Sequence, residues 1–250
     1  MLETLIQSGK HEIKRDPKGV FLAGLSAGLD IGFGPLLMAV LLTLSAGGYG
    51  DLGTEIMLAS AYSVGFIFVI LGRSELFTEH TTIAVMPVLD RRASVAELAR
   101  LWGLVFVSNI VGGALFTLFV VTLMPNLGVA APEAFIEIAH KLVDHDPGWL
   151  LVAGILAGWL MGLLAWLLTA AQGTVNRIVV ILIVTASIGL LHLPHSIAGN
   201  VEVLFGVFLS PTITWVDYGI FLSLATIGNA IGGVVFVGLF KYGHVVRGGD

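Results

Sequence analysis

The sequence contains no cysteine, which excludes disulfide bridges and thiolate metal sites. Charge is scarce as well. Only 12% of the 250 residues are Asp, Glu, Lys or Arg, whereas a soluble domain is about one quarter charged. The formal net charge is -5, so nucleic acid is not expected as a partner. There is no His-x-x-x-His spacing for a metal and no glycine-rich loop leading into a lysine for a phosphate. Neither metal nor cofactor is expected. A secretory signal is not expected either, because residues 1–18 carry Glu3, Lys10, Glu12, Lys14, Arg15, Asp16 and Lys18 and lack an apolar core.

Apolar residues are what the chain has in abundance. They make up 56% of it, and the mean hydropathy is +0.97. The bilayer is the natural solvent for such a composition. A spanning helix needs about 20 mostly apolar residues. Residues 19–50 hold one charge, Asp30, while 101–132, 147–176 and 218–240 hold none. Two further stretches are longer and interrupted. Residues 53–89 carry Arg73, Glu75, Glu79 and His80 in their middle. Residues 178–216 carry His192, Pro194, His195, Asn200 and Glu202. Each is too long for one span and too short for two with a loop. A helix broken inside the membrane fits both, since irregular backbone is tolerated there when protein or a wet cavity satisfies it.

Basic residues predict the orientation. Lys10, Lys14, Arg15 and Lys18 precede the first span, and Arg91, Arg92 and Arg100 lie between the second and third. Arg177 lies between the fourth and fifth, and Lys241 and Arg247 follow the sixth. With six spans these all fall on one side, the cytoplasm, together with both termini. The opposite loops carry Lys141 and the acids Asp51, Glu55, Glu133, Glu137, Asp144, Asp146 and Asp217. The expected location is the inner (plasma) membrane. Residues 1–18 read as an interfacial segment with Leu2, Leu5, Ile6 and Ile13 roughly on one face. Residues 132–143 read as a short amphipathic helix opening on Pro132.

The spans are duplicated. Ala23-Gly24-x-x-Ala27-Gly28-x-x-x-Gly32 matches Ala153-Gly154-x-x-Ala157-Gly158-x-x-x-Gly162. Asn109-Ile-Val-Gly112-Gly113-Ala-Leu-Phe116 matches Asn229-Ala-Ile-Gly232-Gly233-Val-Val-Phe236. Small residues four apart recur in many membrane helices. Two matches in the same order, with a broken stretch inside each, mark a repeat. Three spans per copy set the copies in opposite orientations. The fold class expected is all-α integral membrane, with six helices in an inverted three-helix repeat and helices 2 and 5 broken. One copy covers about residues 19–124 and the other about 147–241, within a single domain at 19–250. Such repeats place a substrate near the midplane, where the broken helices meet.

The breaks hold the candidate chemistry. Ser74, Ser196 and Asn200 read first as partners for loosened backbone. His195 reads as functional, because an ionisable group inside the membrane usually is, and histidine titrates near neutrality. Asp30, Arg73, Glu75, Glu79 and His80 form a charged group of undecided role. Arg73 and the two glutamates neutralise one another in a structural cluster, or they border the conduction path. Asp30 pairs with Arg73 or faces a vestibule. Gly24-Leu25-Ser26-Ala27-Gly28 spells the serine-hydrolase letters, but that motif needs a strand–turn–helix elbow, and here it sits in a membrane helix. No catalytic residue is assigned. An intramembrane hydrolase using Ser26 and His195 remains a minor alternative.

The breaks resemble those of the formate/nitrite transporter family. Leu76-Phe77-Thr78 is similar to its Leu-Phe-Thr loop, and His195-Ser196-Ile197-Ala198 followed by Asn200 to its His-Ser-Ile-Ala-Asn stretch, with Gly199 extra. The likeness spans residues from about 18 to 242. The resemblance implies an aquaporin-like fold, a homopentamer with one pore per subunit, and transport of small monovalent anions such as formate, nitrite, hydrosulfide or lactate. By position it makes Thr78 the loop threonine and His195 the central histidine facing it. Leu76 and Phe77, with Ile188, would form one apolar constriction, and Tyr62, Phe66 and Met161 a second. Lys141 would be the outer lysine. Glu79-His80 departs from the small or uncharged residues usual there. Gly158 stands where some members have a pore asparagine, and His192 is an additional histidine.

The expected function is therefore passage of a small weak-acid anion, with a proton linked to His195 letting the anion cross the apolar rings. The alternative within the same fold is a channel for a neutral solute, although the Asn-Pro-Ala pairs of aquaporins are missing. A non-conducting scaffold sealed by Glu79 and His80 is another.

Overall fold

The computed structural model describes residues 1–45 and 50–248, and the described residues form helices joined by short non-helical connections, with no strand. Helix α1 (Leu2–Lys14) precedes α2 (Pro17–Ile31) and α3 (Phe33–Leu44), which run on from each other through Gly32. Then come α4 (Leu52–Gly72), α5 (Phe77–Ile83), α6 (Met86–Leu89) and α7 (Val95–Asn126). Helix α8 (Pro132–Val143) connects to α9 (Pro147–Leu168), α10 (Thr174–Leu190), α11 (Ser196–Leu209) and α12 (Trp215–Ile231). Helix α12 widens into a π-helical stretch, Gly232–Leu239, and ends in α13 (Phe240–Gly248). Five of these segments are long and apolar enough to cross a membrane: Pro17–Leu44, Leu52–Gly72, Val95–Asn126, Pro147–Leu168 and Trp215–Gly248. The remaining apolar stretch of the sequence is divided between the shorter α10 and α11.

The duplication extends to the helix starts. Asp16 before Pro17 accepts from the backbone of Lys18 and Gly19, and Asp146 before Pro147 accepts from Gly148. An acceptor at the cap followed by proline suits the first turn, where N–H groups have no helical partner. Ser94 and Glu97 form a reciprocal capping box at α7, and Thr214 and Asp217 form one at α12.

Packing follows the same rule. Helix α2 lies against α7, and α9 against α12. A Cβ on Gly28 would come within 2.9 Å of Gly112 Cα, and one on Gly158 within 2.5 Å of Asn229 Cα. Neither crossing leaves room for a methyl group. Gly158 thus marks a helix contact. The second halves of the broken stretches reach the opposite copy: α5 packs on α9 and the π-helical stretch, and α11 on α7.

Helix α1 buries Leu5, Ile6 and Ile13 against protein. Leu5 and Ile6 share an apolar cluster with Met86, Trp166 and Val237.

Candidate functional site

The two breaks share one backbone plan. Helix α4 closes on Arg73 in the left-handed region, φ 57°, and the Ser74 N–H donates to the Val69 carbonyl at 3.0 Å. Helix α10 closes with His192 at φ 49°, and the Leu193 N–H donates to the Ile188 carbonyl at 3.0 Å. This is the six-to-one closure of a helix end, made here without glycine. A left-handed non-glycine residue costs on the order of 1 kcal/mol, so packing must hold each turn. The chain then extends to Leu76 and His195, which precede α5 and α11.

An asparagine from a neighbouring helix secures each break. Asn109 of α7 donates to the carbonyls of Gly24 and Glu75, both at 2.8 Å, and accepts from the Phe77 N–H at 2.9 Å. Asn229 of α12 donates to the carbonyls of Gly154 and Pro194, at 2.8 and 2.9 Å, and accepts from the Ser196 N–H at 2.8 Å. Both side chains are fully buried. The repeated Asn-x-x-Gly-Gly pattern was their only mark in the sequence, and it carried no role.

The breaks meet at Thr78 and His195, whose side chains hydrogen-bond at 2.7 Å. Both are buried, with exposures of 0% and 1%. His195 Nδ1 accepts from the N–H groups of Ile197 and Ala198, at 3.3 and 3.1 Å, and so caps α11. With Nδ1 an acceptor, the ring proton sits on Nε2 and is donated to Thr78 Oγ1. Phe66 meets the imidazole edge-on at 5.0 Å, and Tyr62 lies 5.2 Å from Phe66 between ring centroids.

Leu76, Phe77, Ile188, Tyr62, Phe66 and Met161 all lie in one buried apolar cluster. Their surroundings differ. Phe77 packs edge-on against Phe106 and Trp102 of α7, at 5.1 and 5.9 Å, and its N–H is held by Asn109. Tyr62 and Ile188 line a cavity of about 20 Å³ with Lys141, His192 and Glu202, room for about one water. Lys141 and His192 also border a wider groove of about 550 Å³ beside Trp149. Asn200 makes no side-chain hydrogen bond to Thr78 or His195 among the described residues. Its side-chain oxygen accepts from the Tyr218 hydroxyl at 2.7 Å.

The charged group sorts differently from its sequence pattern. Among the described residues no ion pair joins Arg73 to Asp30, Glu75 or Glu79, and Arg73 is exposed. Glu75 pairs with Arg15 and, at 2.5 Å, with His80. Arg15 also holds Glu12 at 2.6 Å. The sequence spacing suggested Arg73 as the partner because it is two residues away, but the left-handed turn ends α4 there and points the chain elsewhere. Burial, and then the Glu75 charge, raise the Glu12 carboxyl above the ordinary carboxylate range, against the pull of Arg15. Glu79 is half-buried; its N–H donates to the Leu76 carbonyl at 3.1 Å, and its carboxylate forms no hydrogen bond among the described residues. Asp30 accepts from Ser26 at 3.0 Å and Ser74 at 3.3 Å. Ser26 is thus committed to Asp30 and both ring nitrogens of His195 to other partners, so the two do not form a nucleophile–base pair. Ser196 Oγ is buried with no partner among the described residues.

Glu202 carried no motif, and its weight comes from its setting, since it is 6% exposed and borders the cavity.

The sequence matches the model of the formate/nitrite transporter family over residues 1–243. It is 31% identical to inner membrane protein YfdC of Escherichia coli (strain K12), over 97% of this chain and 77% of that protein. A solved FNT family ion channel superposes with a TM-score of 0.86 at 22% identity, over 98% of each chain. A pentameric formate channel with formate bound superposes with a TM-score of 0.78 at 22% identity, over 92% of this chain and 98% of that one. The all-helical fold is that of these channels, and the apolar helices are those of a membrane protein. The chain belongs to the formate/nitrite transporter family.

Proposed function

We propose that the chain conducts small monovalent anions of weak acids, formate and nitrite being the type, through a pathway in each subunit of a homopentamer. Family membership supports the substrate class, and the relative solved with formate supports the pentamer. The observation that carries the pathway is the buried Thr78–His195 hydrogen bond at 2.7 Å, where the two breaks meet. Six spans, with α4–α5 and α10–α11 as the broken pair, make two three-span copies at about 19–124 and 147–241. Residues 1–18 and the C-terminus face the cytoplasm, and α8 faces outward.

An anion approaches from the α8 side past Lys141. Ions do not cross an apolar ring unpaired, because the desolvation penalty is several kcal/mol or more. Tyr62, Phe66, Ile188 and Leu76 supply that ring, and Phe77 and Met161 back it. At the centre the neutral imidazole donates its Nε2 proton to Thr78, which frees the threonine hydroxyl to donate to the anion. A proton on Nδ1 would oppose the Ile197 and Ala198 N–H groups, so the proton that neutralises the anion enters with it. No reaction is catalysed. The test is pH-dependent formate uptake by proteoliposomes. His195→Phe and His195→Asn are expected to change its rate and pH profile, and an unchanged rate and profile would remove the role of His195.

A further inference from the structure

Glu202 sits on α11 seven residues beyond His195, about two turns and roughly 10 Å along the same face. It is 6% exposed, and among the described residues its carboxylate takes part in no hydrogen bond or ion pair. It borders the cavity of about 20 Å³ on the α8 side of the Thr78–His195 contact. The titratable groups around it are Tyr62 of α4, Lys141 of α8 and His192 of the α10–α11 connection. Glu55 stands behind His192 at 3.3 Å, and Tyr218 of α12 is bound to Asn200. His145 lines the adjoining groove, and α3 contributes only Met38 to the cavity wall.

A buried carboxylate without a partner is costly as an ion. A neutral carboxyl there is a hydrogen-bond donor aimed at whatever enters the cavity. The cavity lies where an anion must pass before reaching His195, so the state of this one group decides whether it meets a donor or a negative charge. We infer that Glu202 is a proton-bearing charge filter for the pathway. Protonated, it donates a hydrogen bond to an entering weak-acid anion; ionised, it repels that anion. The site selects anions that arrive with a proton, and it rests on the channel reading above.

Glu202→Gln fixes the filter in a neutral, donating form of the same shape. Formate uptake into proteoliposomes is compared between the variant and the parent chain, with equal pH on both faces. Taking their ratio cancels the speciation of formate itself. The ratio is expected to be about tenfold in favour of the variant near pH 9 and close to one near pH 5.5, tenfold being one pKa unit's worth of free energy. A ratio that does not change with pH overturns the inference alone, as does an assembled variant that conducts at neither pH. Absence of formate flux in the parent chain overturns the channel reading and this inference with it. If the glutamine variant does not assemble, Glu202→Asp, which keeps an ionisable group, must retain the parent's pH response; a lost response overturns the filter.

Discussion

Asn109 and Asn229 make the same three hydrogen bonds in their two copies, each joining a first-span carbonyl to both sides of a helix break. The Thr78–His195 hydrogen bond depends on these two clasps. They set where α5 and α11 begin.

Replacing either asparagine by alanine strands one buried carbonyl (Glu75 or Pro194) and one buried N–H (Phe77 or Ser196), while the Gly24 and Gly154 carbonyls keep their helical bonds. Each stranded group costs about 1–3 kcal/mol. Asn109→Ala and Asn229→Ala are each expected to lower stability by roughly 2 kcal/mol or more, read as a fall in the melting temperature of the detergent-solubilised protein. Asn109→Asp is expected to be as damaging, because it removes the donor opposite the Gly24 and Glu75 carbonyls.

The glycine crossings are a separate requirement. Gly28→Ala and Gly158→Ala place a methyl against backbone rather than against a side chain that can turn away. Overpacking of this kind costs about 1–3 kcal/mol. Gly19→Ala, where a Cβ meets nothing within 4 Å, is the control, and its melting temperature is expected to match that of the parent.

Thr78→Val keeps the shape and removes the hydroxyl. It leaves His195 Nε2 without its buried acceptor, and formate flux is expected to fall about tenfold or more, the kinetic equivalent of ~1.4 kcal/mol. Thr78→Ser retains the hydroxyl and is expected to conduct within about threefold of the parent, well under that 1.4 kcal/mol. Uptake rates at matched protein density check both.

Glu12 ties the docking of α1 to pH. Its carboxyl is raised in the folded protein, so the docked state holds the proton more tightly than the undocked state does. The contribution of Glu12 is therefore most favourable at low pH and declines as pH rises through the raised value. Glu12→Gln is expected to flatten that decline. The chain has no cysteine, so a spin label on Gln7→Cys reports α1 mobility selectively. Label mobility rising with pH in the parent and not in the glutamine variant is the expected result.

Much of this fold was legible in the sequence because bilayer physics leaves few options. Charge-poor stretches, the partition of Lys and Arg, and the paired small-residue patterns predicted membrane helices in duplicate with two interruptions. The Leu76-Phe77-Thr78 and His195-Ser196-Ile197-Ala198 motifs pointed to the two residues that the structure brings into contact. What spacing could not reveal depended on three-dimensional neighbours. Arg73 is near Glu75 in sequence, yet Arg15 of α1 reaches it instead. Asp30 found hydroxyls rather than an arginine. Asn109 and Asn229 repeat visibly, but only the break each one spans explains them. The breaks differ in side chains, as the sequence indicated, and the structure adds that their backbones are alike.

The most direct test of the pathway is labelled formate uptake by proteoliposomes containing the parent chain, Thr78→Val or His195→Phe, with glycerol as a neutral-solute control. The expected result is formate flux well above protein-free liposomes, no glycerol flux, and loss of the formate signal in both variants while their melting temperatures hold. Glycerol passage without formate passage, or formate flux unchanged in both variants, would contradict an anion pathway through the Thr78–His195 contact.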